Sequence, residues 1–320
     1  MERSTEEGAI RFGHEPVMVA ETTEFLDPGR GGIFVDATVG LGGHALHLVS
    51  RYPEVRLFGI DRDAEALAEA RLRLEPFADR VVLARGENAR LEELLDEAGI
   101  DRIAGLYADL GVSSLQLEKA ERGFSLQRDG PLDMRMGVGG GGLTARDIVN
   151  GYPEAALEQI IRDYGEDQEA RRIARALIRE RSQVVIETTF QLRDIVHRAK
   201  RGDGGKGRRR IDPATKVFQA LRIEVNQELQ QLETLVRQGL KRLESAGRLV
   251  VISYHSLEDR VVKNILRDAE RGDVDPVTGR SRSETQVLEV LTKKPVRPSE
   301  AEVARNPRAR SARLRAARRL

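Results

Sequence analysis

The chain has 320 residues, 40% apolar and 33% charged, and its 53 basic residues nearly balance its 52 acidic ones for a net charge of +1. Such a chain can bury one large core or two, and no apolar run approaches a membrane span. It has no cysteine, which excludes disulfides, thiolate metal sites and a cysteine nucleophile.

Met1-Glu-Arg-Ser-Thr-Glu-Glu lacks the apolar core of a secretion signal, so a cytoplasmic protein is expected. The apolar run Ile33-Phe34-Val35 predicts a buried strand, and Ala45 to Val49 the start of a helix. Between them lies Asp36-Ala-Thr-Val-Gly40-Leu-Gly42-Gly43-His44. Strand, glycine-rich turn and helix form the geometry of a nucleotide-type cofactor site. The turn opens on an acid, where the dinucleotide fingerprint has its first glycine. Asp36 could pair with a cation such as an amino acid's ammonium group. Asp61 ends the next apolar run, Leu57 to Ile60, about 20 residues on, where an acid typically accepts hydrogen bonds from ribose hydroxyls. An amino-acid end plus a ribose end suggests S-adenosylmethionine. His44 and His47 lie three apart on a helix, but no further acid or histidine follows in a matching local pattern, so no metal site is expected.

Further strands are predicted at Val81–Ala84 and Ala104–Ala108, with helices over Ala64–Leu74 and Leu91–Ala98. That alternation predicts a parallel sheet with crossover helices. It stops after Asp109. From 113 to 211 the only strand-like run is Val184–Ile186, and Gly139 to Gly142 reads as a flexible loop. Leu157–Tyr164, with apolar residues at i, i+3, i+4 and i+7, reads as one helix face, and Gln168–Arg181 and Thr189–Lys200 read similarly. The expected organisation is a discontinuous sheet domain, 1–112 and 212–320, with an all-helical domain inserted at 113–211. Asp212-Pro213 starts a long helical region, broken near Gly239 and ended by Gly247. Arg248–Ser253 reads as a buried strand, Ser256-Leu-Glu-Asp259 as a capping box, and Val287–Thr292 as a last, edge strand.

Charge is uneven along the chain. Lys200 to Arg210 holds six basic residues and one acid, and the last sixteen residues, Arg305 to Leu320, hold seven arginines and no acid. Two basic arms on a balanced body predict a polyanionic partner.

Several further blocks are denser than chance composition would give: His14-Glu-Pro-Val17, Asp109-Leu-Gly-Val-Ser-Ser-Leu-Gln116, Arg122-Gly-Phe-Ser, Asp129-Gly-Pro-Leu-Asp-Met-Arg-Met136, Tyr164-Gly-Glu, Pro213 to Ile223, Ile252-Ser-Tyr-His-Ser-Leu-Glu-Asp-Arg260 and Asn306-Pro-Arg-Ala-Arg-Ser311. Together they closely resemble the bacterial small-subunit ribosomal RNA cytosine-N4 methyltransferases, the RsmH (formerly MraW) family, over nearly the whole chain. The resemblance implies an α/β fold, the Rossmann-like, mostly parallel sheet of class I S-adenosylmethionine-dependent methyltransferases, with an inserted helical domain for substrate recognition. It implies S-adenosylmethionine as methyl donor, S-adenosylhomocysteine as product, and a decoding-centre cytosine of 16S rRNA in the small ribosomal subunit as target. The oligomeric state is left open between monomer and homodimer. Cofactor contacts carried over by the resemblance fall on Gly42, Gly43, His44, Asp61, Asp109 and Gln116. One more falls at Asn88, where the family usually has an aromatic.

The chemistry of the residues agrees. Methylation of cytosine on C5 normally uses a cysteine, and this chain has none. The N4 amine needs no covalent intermediate, only in-line placement and an acceptor for its N–H. Asp109, at the end of the fourth predicted strand, is the first candidate acceptor, but with no aromatic following it the same acid could serve the cofactor instead. His255 is the alternative, against a reading as a helix-entry histidine bonded to backbone. Arg135 could grip a phosphate or pair with Asp133 to close its loop. Tyr254 is the first side chain to test for base stacking.

Overall fold

The computed structural model describes residues 15–137, 141–200, 212–272 and 285–320. His14, Gly139, Gly140, all of the basic segment after Lys200 through 211, and most of the polar loop after Gly272 lie outside the described residues. The helices are α1 (Val19–Leu26), α2 (Gly43–Arg51), α3 (Ala64–Leu74), α4 (Leu91–Glu97), α5 (Ser114–Glu118), α6 (Ala145–Gly151), α7 (Glu154–Asp163), α8 (Ala170–Arg181), α9 (Thr189–Lys200), α10 (Thr215–Asn226), α11 (Glu228–Arg242), α12 (Ser256–Arg271) and α13 (Glu300–Arg305). The strands are β1 (Gly32–Asp36), β2 (Val55–Asp61), β3 (Val81–Arg85), β4 (Ile103–Asp109), β5 (Leu243–Ser253), β6 (Leu288–Val290) and β7 (Arg313–Arg319). No helix among the described residues is long and apolar enough to cross a membrane.

The chain forms two compact units, Met1–Gly111 with Leu229–Leu320, and Val112–Glu228. In the first unit a seven-stranded sheet runs β3-β2-β1-β4-β5-β7-β6. Its first five strands are parallel, and β7 pairs antiparallel with both β5 and β6. This is the mostly parallel, Rossmann-like sheet that the alternating pattern predicts. Residues alternate between its faces, as the period of two requires. Phe34, Leu57, Tyr107 and Val250 pack toward α1, α2 and α3, while Val35, Phe58, Leu106 and Val251 pack toward α4, α11 and α12. Strand order reverses at the β1/β4 boundary, the position where open α/β sheets bind ligands beyond their carboxyl ends.

The second unit is helical, with Ile148, Leu157, Ile173, Leu177, Val196 and Leu221 in its core. Its buried Lys200 pairs with Asp167 and donates to the Pro213 carbonyl at 2.8 Å. Lys200 is therefore a core ion and not the first residue of an exposed basic arm.

Four sequence expectations change. First, α10 belongs to the helical unit, so the second crossing falls at Glu228 and not at 212. Val217, Phe218 and Leu221 give α10 an apolar face that the helical core buries, and an amphipathic stripe alone does not say which core will take it. Second, Val184–Ile186 is a loop: Val184 and Val185 stay exposed and only Ile186 turns inward. Third, the long helical region breaks at Gln227, whose φ is +50°, and α11 runs unbroken through Gly239. A Cβ on Gly239 would lie 3.3 Å from Leu106, so that glycine serves close packing of helix on sheet.

Fourth, the arginine-rich C-terminus is no free arm. It is β7, lying between β5 and β6. Leu314 and Ala316 face one core, and Ala317 the other. Between them Arg315 is buried and binds Asp259 of α12 with two hydrogen bonds, 2.7 and 3.2 Å. The charges hid a period-two strand. Val287–Thr292 indeed supplies an edge strand, β6, but not the last one in sequence.

Removing one partner of a buried ion pair leaves the other unpaired. Arg315→Ala is expected to lower stability in chemical denaturation by about 3 kcal/mol. Arg318→Ala, whose pair with Glu289 is exposed, should cost about 1 kcal/mol or less. Equal losses at the two positions would contradict the strand assignment.

Candidate active site at the carboxyl edge of the sheet

Strands β1, β2 and β4 each end in an aspartate, and β5 ends at Ser253 beside β4. Parallel pairing brings these ends to one edge. The turn after β1 reaches α2 through Gly40 and Gly42, whose φ values are +51° and +76°, conformations that favour glycine. A Cβ on Gly42 would touch Ala70 and Leu74 of α3 at 3.4 Å, and one on Gly43 would meet Pro16 at 2.9 Å. Gly42 is thus favoured by its backbone conformation, and its Cβ side faces α3 and not open space. The open side is at Gly40, where a Cβ would meet only the Thr38 carbonyl of its own turn, 3.8 Å away.

Asp61 braces this turn. Its Oδ2 accepts from the Gly40 N–H at 2.8 Å and its Oδ1 from the Asp63 N–H at 2.9 Å. Burial pushes its pKa upward, and the two backbone N–H groups oppose that shift. The lone pairs left over are the ones a ribose could use.

Asp36 lies deeper, almost wholly buried. Its Oδ1 accepts from the Thr38 N–H at 3.0 Å, and its Oδ2 accepts the Tyr107 hydroxyl. Almost wholly buried and with a bond on each oxygen, this carboxyl braces the floor of the site. Burial raises its pKa to about 7, against the Tyr107 hydroxyl, the Thr38 N–H and His44, while Asp61 adds to the rise.

Thr38 joins this floor to the next strand, its Oγ1 accepting the Asp109 N–H at 2.7 Å. Asp109 Oδ1 accepts the Tyr254 hydroxyl at 2.7 Å. Asp109 Oδ2 makes no hydrogen bond with the described residues and faces His44 Nε2 at 3.7 Å. His44, in the first turn of α2, is buried; its Nε2 has no partner and its ring lies 5.6 Å from that of Tyr107. Among the described residues, a buried ring nitrogen without a hydrogen-bond partner thus stands opposite a carboxylate oxygen without one.

The other predicted residues take different places. Asn88 opens a short turn after β3 and is half-buried; the turn is tied to α11 where Ala89 N–H donates to Gln231 Oε1 at 2.9 Å. His255 caps α12: its Nδ1 accepts from the Glu258 N–H at 3.4 Å, and Glu258 accepts back from the His255 N–H. The helix-entry reading is the one realised, with the box one residue earlier than Ser256. His255 Nε2 lies 3.2 Å from Glu258 Oε1 but without hydrogen-bond geometry. Gln116 belongs to the second unit, where its Oε1 accepts from Ser113 N–H and its Nε2 donates to the Met136 carbonyl. In the same unit Asp133 holds Arg135 in a fork of 2.8 and 2.6 Å, the loop-closing alternative. Tyr254 is no free stacking platform, because its hydroxyl is bound and its ring covers Gly111, where a Cβ would lie 3.3 Å from Tyr254 Cδ2. Sequence reasoning missed Thr38 and Tyr107 altogether. The one signal was that each sits two residues from a strand-end acid, Tyr107 on the same face of β4 as Asp109 and Thr38 in the turn after Asp36.

An acid whose folded pKa exceeds its unfolded value favours folding while protonated. Asp36 rises from 3.8 to about 7, so its contribution is full below pH 4 and is lost as pH climbs to about 7. Between pH 5 and 8 the natural chain is expected to lose up to about 3 kcal/mol relative to Asp36→Asn, at about 1.36 kcal/mol per unit. Urea unfolding of both chains at the two pH values is the check, and parallel pH profiles would contradict the buried assignment.

Known proteins fit this geometry. The MraW methylase family matches residues 11–320. A ribosomal RNA small subunit methyltransferase H from Geotalea uraniireducens (strain Rf4) is 49% identical over 313 residues, covering 96% of this chain and 98% of that one. Its namesake from Thermobifida fusca (strain YX) is 48% identical over 320 residues, 98% of this chain and 95% of that one. A third, from Salinispora arenicola (strain CNS-205), is 47% identical over 328 residues, 98% and 85% of the two chains. On a match of this extent, the chain belongs to the MraW methylase family.

Proposed function

We propose that this chain methylates the N4 amine of a decoding-centre cytosine in 16S rRNA, using S-adenosylmethionine, and that it acts in the cytoplasm on the small ribosomal subunit. The observation that carries the reading is the Asp109 carboxylate at the switch point, with Oδ2 unengaged opposite the unpartnered His44 Nε2. The site's residues fit the cofactor: an open backbone side at Gly40, an acid with spare lone pairs at Asp61, and an orphaned buried nitrogen at His44. Asp61, His44 and the turn from Gly40 to Gly43 would hold it, with Asn88 as a further contact. When bound, S-adenosylmethionine supplies a methyl group on a cationic sulfur that leaves as a neutral thioether.

The protein's task is placement and proton handling. The cytosine amine is a weak nucleophile because its lone pair is delocalised into the ring. An acceptor on its N–H draws the nitrogen toward tetrahedral geometry and frees that pair. Asp109 Oδ2 is the acceptor at hand, and it can take up the proton the amine loses once the new N–C bond has formed. Holding the reactants in line can supply roughly 7–11 kcal/mol in favourable cases. The absence of cysteine closes the covalent route to C5.

RNA is gripped by the helical unit. The outer face of α8 carries Arg171, Arg172, Arg175 and Arg179, and with Arg198 of α9 they line one groove. Arg171 makes no ion pair or hydrogen bond with the described residues. The others sit in exposed pairs with Glu169, Glu154 and Glu180, worth about 1 kcal/mol or less each, which a phosphate can displace. Phosphate contacts release counterions, so each arginine lost should flatten the salt dependence. Arg171→Gln with Arg175→Gln is expected to weaken RNA binding and reduce its log–log salt slope by about two, leaving cofactor affinity unchanged. An unaltered slope excludes this face.

The chain has no tryptophan and only 8 Phe and 5 Tyr, and readers of bare single strands rely on aromatic platforms. The target base must also leave its stack to be reached. An assembled small subunit is therefore expected to be methylated much faster than naked 16S rRNA or a short oligonucleotide at matched concentration. Equal rates on the oligonucleotide would contradict shape-based recognition.

A further inference from the structure

We infer that Tyr254 is the positioning residue of Asp109, fixing which carboxylate oxygen meets the substrate amine; this rests on the reading of Asp109 given above. The two side chains leave neighbouring strand ends. Asp109 pairs in register with Ile252, Leu110 N–H donates to the Ile252 carbonyl at 3.0 Å, and Tyr254 follows two residues later. From there the phenol donates to Asp109 Oδ1 at 2.7 Å.

Tyr254 is itself tightly held. Its backbone N–H donates to Oε2 of the buried Glu258 at 2.8 Å. Its ring lies over Gly111, which has φ +101°, so the chain after Asp109 makes room for the ring with a residue that has no Cβ. Burial, and then the neighbouring Asp109 charge, push the phenol's pKa well above its ordinary value, so it stays a donor throughout the range where enzymes are assayed.

Asp109 is thereby fixed at two points, its backbone by the N–H on Thr38 Oγ1 and its carboxylate by Oδ1 on Tyr254. A carboxylate free to rotate would present either oxygen, or both, to the cleft. With Oδ1 already accepting from Tyr254, Oδ2 is the oxygen left without a bond to the described residues, and it is the one that faces His44. Tyr254 need not touch the reacting atoms to act; it removes an orientation that the amine would otherwise have to compete with.

Tyr254→Phe removes the hydroxyl and keeps the ring over Gly111. Hydrogen bonds to charged groups are the stronger ones, and the expected result is a fall in kcat of roughly tenfold to a hundredfold. The S-adenosylhomocysteine Kd from calorimetry and the thermal midpoint should stay as in the natural protein. An unchanged kcat would overturn the proposal, and so would a kcat loss matched by loss of cofactor affinity or thermal stability, which marks a structural brace. The cycle with Asp109→Asn isolates the route of action. If Tyr254 works through Asp109, adding Tyr254→Phe to Asp109→Asn changes kcat by no more than about twofold. The same factor in both backgrounds would overturn it. Full activity of Asp109→Asn alone would instead defeat the reading of Asp109 as acceptor, a separate outcome from failure at Tyr254.

Discussion

Three carboxyl groups end neighbouring strands at one edge of this sheet, and each must be held against the cost of burying a charge without partners. Among the described residues the hydrogen bonds that meet this constraint come from backbone N–H groups and tyrosines. Asp61 takes two backbone N–H groups, Asp36 one N–H and the Tyr107 hydroxyl, and Asp109 the Tyr254 hydroxyl. Thr38 links two of them, its N–H on Asp36 and its hydroxyl under the Asp109 N–H. The turn, the floor and the far wall of the site form one hydrogen-bonded piece. Arginines here would have neutralised the acids and competed with the cofactor's cationic and hydroxyl groups for them.

This arrangement separates the three acids by role. Asp36 is buried with both oxygens taken, and it supports. Asp61 also carries a bond on each oxygen, but it is less buried than Asp36 and keeps lone pairs beyond the two it uses to brace the turn. Asp109 is fixed by one oxygen and open at the other. Identical side chains at equivalent strand ends thus do different work because burial and partners differ, the same logic that sets paired carboxylates to different tasks in other enzymes. His44, buried and unpartnered beside Asp109, is the other half of the open position.

The parts of this protein that read well from sequence are those where one physical signal dominates. Strands β1, β2 and β4 are apolar runs ending in acids, and buried parallel strands look like that. The same runs placed the glycine turn after β1 and Asp61 and Asp109 at their strand ends. What did not read well was decided by partners distant in sequence. Strand β7 carries arginines that look like a solvated tail until Asp259 of α12 takes Arg315 into the sheet. Gly239 looks like a helix breaker, yet it is a contact surface for Leu106. Helix α10 has an apolar face that either core could have used. Asp36 drew notice as a ligand contact because its position was right, but only the fold reveals Tyr107 beneath it. Likewise His255 has the chemistry of a base and the location of a cap.

The account stands on a claim about which atom is alkylated: an exocyclic amine nitrogen of cytosine, reached without a covalent enzyme intermediate, beside Asp109. The direct measurement is transfer of a labelled methyl group from S-adenosylmethionine to small ribosomal subunits, followed by digestion of the RNA and identification of the labelled nucleoside. The account predicts N4-methylated cytidine, at a single position, as the labelled product. A label on cytidine C5, on another base or on ribose would contradict it.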